Sequence, residues 1–166
     1  MSDLRVLFFF NHGLRCRIMD FFMNIFTQLG SVVFAVLLPL TLLLSGKDTL
    51  INTGIRIAAA LICSQTVVLL VKILVHRPRP FKALENIIIR KPTRDLNSFP
   101  SGHTCAAFSL AFVLAAIVPG LSLIFFFLAS LVGFSRIYLG VHYPTDVVIG
   151  FVTAYVSQLF RASVFF

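Results

Sequence analysis

The chain has 166 residues, of which 58% are hydrophobic and only 12% are charged. Soluble domains carry about 25% charged residues, so this composition excludes an ordinary soluble domain and indicates apolar helices in a membrane. The length allows one domain covering residues 1–166. The net charge of +8 raises the question of nucleic acid. Because the chain carries no nucleic-acid-binding motif, we expect no nucleic-acid partner.

The first predicted helix covers residues 17–29, where apolar side chains recur at helical spacing and polar side chains lie between them. A helix of this length extends over roughly 20 Å, which is short of the roughly 30 Å hydrocarbon core. We therefore expect residues 1–29 to form an interfacial segment whose amphipathic helix lies on the membrane. The apolar run at residues 6–10 is too short for a cleavable signal, so the N terminus is expected to be retained.

The remainder of the chain predicts about five transmembrane helices. The first is short and is expected to borrow a turn from the preceding helix, whereas Pro119-Gly120 marks a hairpin and Pro144 begins the last helix. The predicted fold is an all-α integral membrane helical bundle with an N-terminal interfacial amphipathic helix. The expected spans are residues 31–45, 51–75, 104–118, 121–138 and 144–160.

Three polar clusters interrupt these apolar helices, and the order of the spans places all three at one membrane face. Together they supply three cations, two imidazoles and one carboxylate, which suit binding, attack and protonation of a phosphate ester. The clusters are Lys72-(six residues)-Arg79-Pro80, Pro100-Ser101-Gly102-His103, and Ser135-Arg136-(five residues)-His142-(three residues)-Asp146.

The residues themselves suggest how each cluster contributes. Arginine suits bidentate binding of phosphoryl oxygens and lysine supplies a point charge. Ser101 and Gly102 lie at a predicted helix start, where free N–H groups favour an anion, although Ser101 alternatively serves only as a helix cap. Because His142 and Asp146 are four residues apart at a helix start, the carboxylate is positioned to orient the imidazole. Pairing of Asp146 with Arg136 is the alternative.

The three clusters resemble the tripartite motif of the type 2 phosphatidic acid phosphatase family, with every motif position filled between residues 72 and 146. The resemblance implies that His142 attacks phosphorus to form a phosphohistidine, that Asp146 supports it, and that His103 is the general acid. A hydrogen-bonded structural histidine is the alternative for His103. The implied phosphate-binding residues are Lys72, Arg79, Ser101, Gly102 and Arg136.

Three residues near these motifs match no motif position. The spacing from Lys72 selects Arg79, so Arg77 is interpreted as a headgroup or loop contact. His12 and His76 are interpreted as interfacial histidines without a catalytic role.

The resemblance implies a membrane lipid phosphatase that resembles undecaprenyl-diphosphate phosphatases and phosphatidylglycerophosphatases. We expect a lipid phosphate substrate and contacts with membrane lipids, with a polyprenyl (undecaprenyl) diphosphate favoured. Phosphatidylglycerophosphate, phosphatidate and lipid A 1-phosphate are the alternatives. A transporter or a non-catalytic lipid-binding protein is the alternative of another class. The sequence leaves the oligomeric state open.

Only six residues are acidic and none belongs to a ligand cluster, so we expect metal-independent catalysis without a cofactor. Seven of the fourteen basic residues lie between Lys72 and Arg94, a pattern that suits both anionic headgroups and a phosphate funnel. By the positive-inside rule, the loop at residues 82–94 would be cytoplasmic. The family resemblance instead implies an extracytoplasmic site, in a protein of the bacterial inner (plasma) membrane.

Overall fold

The computed structural model describes residues 2–90 and 95–165, and the basic residues Lys91 and Arg94 lie outside the described part. Regular structure within that part is helical, apart from one isolated bridge between Pro78 and Asn97. The prediction of an all-α fold is therefore confirmed for the described residues. The helices are α1 (Ser2–Phe8), α2 (Arg17–Phe26), α3 (Val32–Leu43), α4 (Asp48–Val75), α5 (Pro80–Ala83), α6 (Gly102–Ile117), α7 (Ser122–Tyr138) and α8 (Pro144–Phe165).

Helix α6 lies at the centre of the bundle and packs against α4, α7 and α8. Its buried face carries small side chains, including Ala106, Ala107 and Ala111, which let the neighbouring helices approach closely. Apolar side chains of α4 and α7 complete the core around them. The N-terminal end of α6, which carries the second motif, is thereby held in the middle of the bundle.

Two described helices are long and apolar enough to cross a membrane, Asp48–Val75 and Pro119–Tyr138. A third span is formed if the pair α2 and α3 is counted together, although the pair is bent by 53°. Helix α6 has 16 residues, or roughly 24 Å, which is shorter than the hydrocarbon core. The expected count of about five spans is therefore not confirmed.

The bend between α2 and α3 is a 3-10 turn at Thr27–Gly30 that packs against the start of α6. A Cβ atom on Gly30 would lie 2.5 Å from the carbonyl oxygen of His103, so only glycine permits this approach. The bend thus brings the N-terminal part of the chain against the end of α6 that carries the second motif.

The outer face of α4 is strongly apolar and exposed in the isolated chain. Ile62 is 69% exposed, Leu69 60% and Leu74 79%. A continuous apolar face of this kind on a long helix is stable in lipid rather than in water.

The N-terminal segment is attached to the loop that follows α5. Asn11 is fully buried, and its side-chain amide donates to the carbonyl oxygens of Ile88 and Tyr138, each at 3.0 Å. The backbone N–H of Ile88 donates back to Asn11 Oδ1 at 2.9 Å. The segment therefore supports the loop that connects the first two motifs.

Candidate active site

The three motifs lie around one cavity of about 640 Å³. This cavity begins at the ends of α4, α6 and α7 and continues between α3 and α4. Ser101 and Asp146 do not line it; they lie directly behind the lining residues. The predicted site residues that line the cavity are Lys72, Arg79, Gly102, His103, Arg136 and His142.

His142 is 1% exposed and its two ring nitrogens have different partners. Nδ1 lies 3.3 Å from Asp146 Oδ2, and Nε2 lies 3.1 Å from NH1 of Arg79. A guanidinium only donates hydrogen bonds, so Nε2 accepts and the ring proton belongs on Nδ1, which donates to Asp146. This tautomer leaves a lone pair on Nε2, the nitrogen beside Arg79, as a nucleophilic imidazole would need.

Asp146 connects the second and third motifs. Its Oδ2 also accepts from the backbone N–H of Tyr143 at 2.9 Å, and its carbonyl oxygen accepts from the N–H of Ser101 at 3.0 Å. Helix α8 approaches α6 closely here, since a Cβ on Gly150 would lie 2.7 Å from the carbonyl oxygen of Ser101. The imidazole of His142 and the start of α6 are therefore held in one rigid arrangement.

Lys72 and Arg79 converge on a carboxylate that the sequence analysis did not identify. Arg79 donates from Nε to the carbonyl oxygen of Asp95 at 2.7 Å and from NH2 to Asp95 Oδ2 at 3.1 Å. The ammonium of Lys72 donates to the same Oδ2 atom. Asp95 also lines the cavity. Two cations predicted to bind phosphate thus hold an anionic group of the protein.

Arg136 is 4% exposed at the end of α7 and donates from NH1 to Thr27 Oγ1 at 2.7 Å. Thr27 is fully buried in the bend between α2 and α3. The bend therefore aims this third cation at the cavity, a role for Thr27 that the sequence did not suggest.

Ser101 is fully buried and caps α6, because its Oγ accepts from the N–H of Thr104 at 3.4 Å and from Thr104 Oγ1 at 2.9 Å. This geometry matches the capping role that the sequence analysis left open. Gly102 faces the cavity, and its carbonyl oxygen accepts from Gln65 Nε2 at 3.3 Å. The helix start thus presents backbone rather than the serine hydroxyl to the cavity.

Burial lowers the pKa of His142 well below its ordinary value, and the positive charges of Arg136, Arg79 and Lys72 lower it further. The imidazole is consequently neutral at pH 7. For Asp95, burial raises the pKa, but the hydrogen bond and charge of Lys72 and the charge of Arg79 outweigh it, so the pKa is lowered overall. That carboxylate is ionised at neutral pH.

Arg77, interpreted from the sequence as a headgroup or loop contact, makes specific contacts within the protein. Its guanidinium bonds to Asp146, Thr145 and Asp3, all of them groups of the protein.

One feature of the sequence could have indicated that Asp3 and Asp95 are partners of the cations. The chain has only six acidic residues, so each is an expected partner for one of its many cations.

The two histidines outside the motifs do not line the cavity. His12 Nε2 lies 2.7 Å from the carbonyl oxygen of Asn86, and His76 is exposed just after α4. Across residues 2–90 and 95–165, no group of three or more His, Cys, Asp or Glu side chains is placed to hold a metal ion.

Comparison with known proteins decides the family. Residues 53–166 match the PAP2 superfamily, the family suggested by the three motifs. This chain belongs to the PAP2 superfamily. The resemblance inferred from the sequence is thereby confirmed.

Two sequence relatives carry the name BcrC. The chain is 32% identical to the undecaprenyl-diphosphatase BcrC of Bacillus subtilis (strain 168), over 90% of this chain and 82% of that protein. It is 39% identical over 82 residues to the bacitracin transport permease protein BcrC of Bacillus licheniformis. That second match covers 49% of this chain and only 40% of the relative.

Two solved structures share the fold. The crystal structure of Aquifex aeolicus LpxE has a TM-score of 0.85 and 30% identity, covering 98% of this chain and 96% of that chain. A transmembrane PAP2-type phosphatidylglycerolphosphate phosphatase from Bacillus subtilis has a TM-score of 0.71 and 24% identity, covering 98% and 86%. Together with the apolar helices, these comparisons support an integral membrane protein of the lipid phosphatase class.

Proposed function

We propose that this chain is an integral membrane phosphatase that hydrolyses a lipid phosphate or diphosphate through a phosphohistidine. The observation that carries the proposal is the composition of the cavity lined by the three motifs. One end holds Lys72, Arg79, Arg136 and the two motif histidines, which suit a phosphate. The rest is apolar.

The apolar part of the cavity lies between α3 and α4. Its walls offer no charge to a ligand and face the part of the bundle expected to lie in lipid. A substrate with a charged head and a long apolar tail matches both ends. The apolar walls include Val32, Ala35, Val36, Pro39, Leu40, Leu43, Ala58, Leu61, Ile62 and Leu69.

In the first step, the lone pair on His142 Nε2 attacks phosphorus and the bond from phosphorus to the leaving oxygen breaks. Asp146 accepts the hydrogen bond from Nδ1 and stabilises the charge that develops on the ring. His103, acting as general acid, gives its proton to the departing oxygen when the leaving group needs one. The cations stabilise the equatorial oxygens of the phosphoryl group.

In the second step, water attacks phosphorus and the bond to Nε2 breaks, which releases inorganic phosphate. Where His103 gave its proton to the leaving oxygen, it accepts the proton of that water. Where the leaving group departed without a proton, the proton of the water passes to solvent, so that both histidines regain their starting states in either case. Lys72, Arg79 and Arg136 serve both steps.

We favour a polyprenyl (undecaprenyl) diphosphate as the substrate. Its leaving group is a polyprenyl phosphate, and its single chain suits one apolar cavity between two helices. The likeness to the undecaprenyl-diphosphatase BcrC supports this preference. Phosphatidylglycerophosphate, phosphatidate and lipid A 1-phosphate are the alternatives.

Phosphate release from a panel of lipid phosphates in detergent tests this function. We expect undecaprenyl diphosphate to give the highest kcat/KM, and we expect activity to persist with chelator, because the protein cations supply the charge that a metal would otherwise provide. Activity abolished by chelator and restored by one divalent metal would contradict metal independence. No phosphate release from any lipid phosphate would contradict the enzyme itself and favour a transporter or lipid-binding protein.

We also propose that the site faces outside the cytoplasm of a bacterial inner membrane. Glu85 is exposed in the loop that joins the first two motifs. In a variant carrying Glu85→Cys and lacking the other three cysteines, a membrane-impermeant thiol reagent should label intact spheroplasts. Labelling only after lysis would place the loop in the cytoplasm, as the positive-inside rule suggests.

A further inference from the structure

The catalytic carboxylate has a second partner besides His142. Asp146 is fully buried, and its two oxygens have different partners. Oδ2 faces His142, whereas Oδ1 accepts from NH1 of Arg77 at 2.7 Å. Arg77 does not line the cavity. It therefore contacts Asp146 from outside the cavity.

Arg77 is itself held in place by the N-terminal helix and the start of α8. NH2 donates to Asp3 Oδ2 at 2.9 Å, and NH1 also donates to Thr145 Oγ1 at 2.6 Å. The guanidinium lies over the ring of Tyr143, 3.9 Å from its centroid. Asp3 additionally accepts from the backbone N–H of Thr145 at 3.0 Å. Together these contacts hold the guanidinium of Arg77 in one orientation.

A buried carboxylate stays ionised only when charge or hydrogen bonds compensate the loss of water. Arg77 supplies a full positive charge to Asp146, so the proton between Asp146 and His142 belongs on His142 Nδ1. That location keeps the lone pair of Nε2 available for attack. Arg77 also fixes which oxygen of Asp146 faces the ring.

The charges around the nucleophile come from several elements. Asp146 faces His142 from α8, while Lys72, Arg79 and Arg136 approach it from α4, from the start of α5 and from α7. The three cations also serve the substrate. Arg77 differs from them because it lies outside the cavity and pairs with the carboxylates of Asp146 and Asp3.

We propose that Arg77 is a positioning residue that acts on the nucleophilic His142 through Asp146, and that Asp3 of the N-terminal helix anchors it. This inference rests on the proposed function, since it assumes that His142 is the nucleophile. It assigns a role to the first arginine of Arg77-Pro78-Arg79-Pro80. It also makes the N-terminal helix part of the active site.

The test compares Arg77→Gln, Arg77→Lys and Asp3→Asn with the unchanged full-length protein in detergent, using phosphatidate and nitrophenyl phosphate. Arg77→Gln should lower kcat on both substrates by about tenfold to a hundredfold, the loss expected from one charge-assisted hydrogen bond. KM should change by less than about threefold, because the residue does not touch the cavity. The matched control is Lys82→Gln, an exposed cation of the same region, which should leave both constants unchanged.

The pH profile separates positioning from a merely structural role. Without Arg77, Asp146 loses the arginine that compensates its negative charge. Either Asp146 itself is protonated at a higher pH, or its negative charge raises the pKa of His142. In both cases the pair binds a proton at a higher pH. The acid limb of kcat should therefore move to higher pH in Arg77→Gln by about half a unit or more. Arg77→Lys keeps the positive charge but cannot bond to Asp146 and Asp3 in the same way as a guanidinium. It should therefore recover the wild-type acid limb and part of kcat.

Asp3→Asn removes the anchor and should lower kcat by about threefold to tenfold. It should cause little further loss in the double variant with Arg77→Gln, because the two residues act through one contact. If Arg77→Gln does not fold, Arg77→Lys and Asp3→Asn decide the question by the same readouts. An unchanged kcat and acid limb, or a loss confined to KM, would overturn the positioning role.

A failure of the proposed function can be distinguished from a failure of the positioning role. Wild-type protein without phosphatase activity, or activity that survives His142→Ala, would refute the assumed chemistry whatever Arg77 does. Activity that depends on His142 but not on Arg77 would refute only the inference about positioning.

Discussion

The two ends of the cavity are built on different principles. At the polar end, His142, Arg79 and Asp146 each make at least two specific contacts with the protein, so their geometry is set before a ligand arrives. At the apolar end, the walls on α3 and α4 are aliphatic side chains without directional contacts. The difference suggests that the chemistry is preorganised, whereas the tail is recognised by burial alone. The following predictions test that division.

The largest expected effect is the loss of the nucleophile. His142→Ala should lower kcat by at least about 10⁴-fold on every substrate, because no phosphoenzyme can form without Nε2. Initial rates on undecaprenyl diphosphate and nitrophenyl phosphate measure this loss. His76→Asn is the matched control, since asparagine tolerates the positive φ of 48° at that exposed position. Residual activity on either substrate above that level would remove His142 from the first step.

His103→Ala should separate substrates by their leaving groups. On phosphatidate the alkoxide needs a proton as it leaves, so kcat should fall by about 10²- to 10⁴-fold, the usual value of general acid help. Nitrophenolate and polyprenyl phosphate leave without a proton and should show much smaller losses. Equal losses on all three substrates would leave His103 with a phosphate-binding role only.

A substitution at the apolar end should change KM only for substrates that carry a lipid tail. Ala35→Trp would fill part of the cavity wall and raise KM for lipid substrates by about tenfold, equivalent to about two displaced methylene contacts at about 0.8 kcal/mol each. KM for nitrophenyl phosphate, which has no tail, should not change. Val33→Trp is the matched control, because Val33 lies on the same helix, is 66% exposed and does not line the cavity. An equal rise for both substrates would show that the two ends are not independent.

Substitution of Asp95 tests whether the polar end is fully preorganised for phosphate. Its carboxylate bonds to Lys72 and Arg79, the cations that the phosphate needs. Asp95→Asn should lower KM by about twofold to fivefold, since a partly exposed ion pair is worth up to about 1 kcal/mol. Steady-state KM for nitrophenyl phosphate measures the change. A higher KM with the asparagine would mean that Asp95 orders the cations rather than competing for them.

The smallest expected effect concerns pH. The lowered pKa of His142 means that the neutral, nucleophilic form persists as pH falls through 6.5, the ordinary value for histidine, and is lost only below it. Activity at pH 6 should therefore lie within about twofold of that at pH 7.5 when kcat is measured at saturating substrate. A half-maximal kcat at pH 6.5 or above would contradict this charge environment.

Much of the candidate site could be predicted from the sequence because its signals are local. Helix starts, turn residues and motif spacing place His142 four residues from Asp146 and Ser101 at the start of α6, whatever the rest of the chain does. The apolar runs likewise predict helices of a membrane bundle. Their number as spans is not confirmed, because local hydrophobicity does not distinguish a spanning helix from a short, buried one such as α6.

Only the tertiary structure decided how the charges are paired. Arg77 and Asp146 are 69 positions apart, and Arg136 and Thr27 are 109 apart. Such contacts depend on how helices pack and bend, since the energy of a buried charge is set by the groups that replace its water. The sequence by itself determined which residues are proposed to carry the chemistry. Packing decided that Arg77 contacts Asp146, that Asp95 pairs with Lys72 and Arg79, and that α3 and α4 enclose the apolar end.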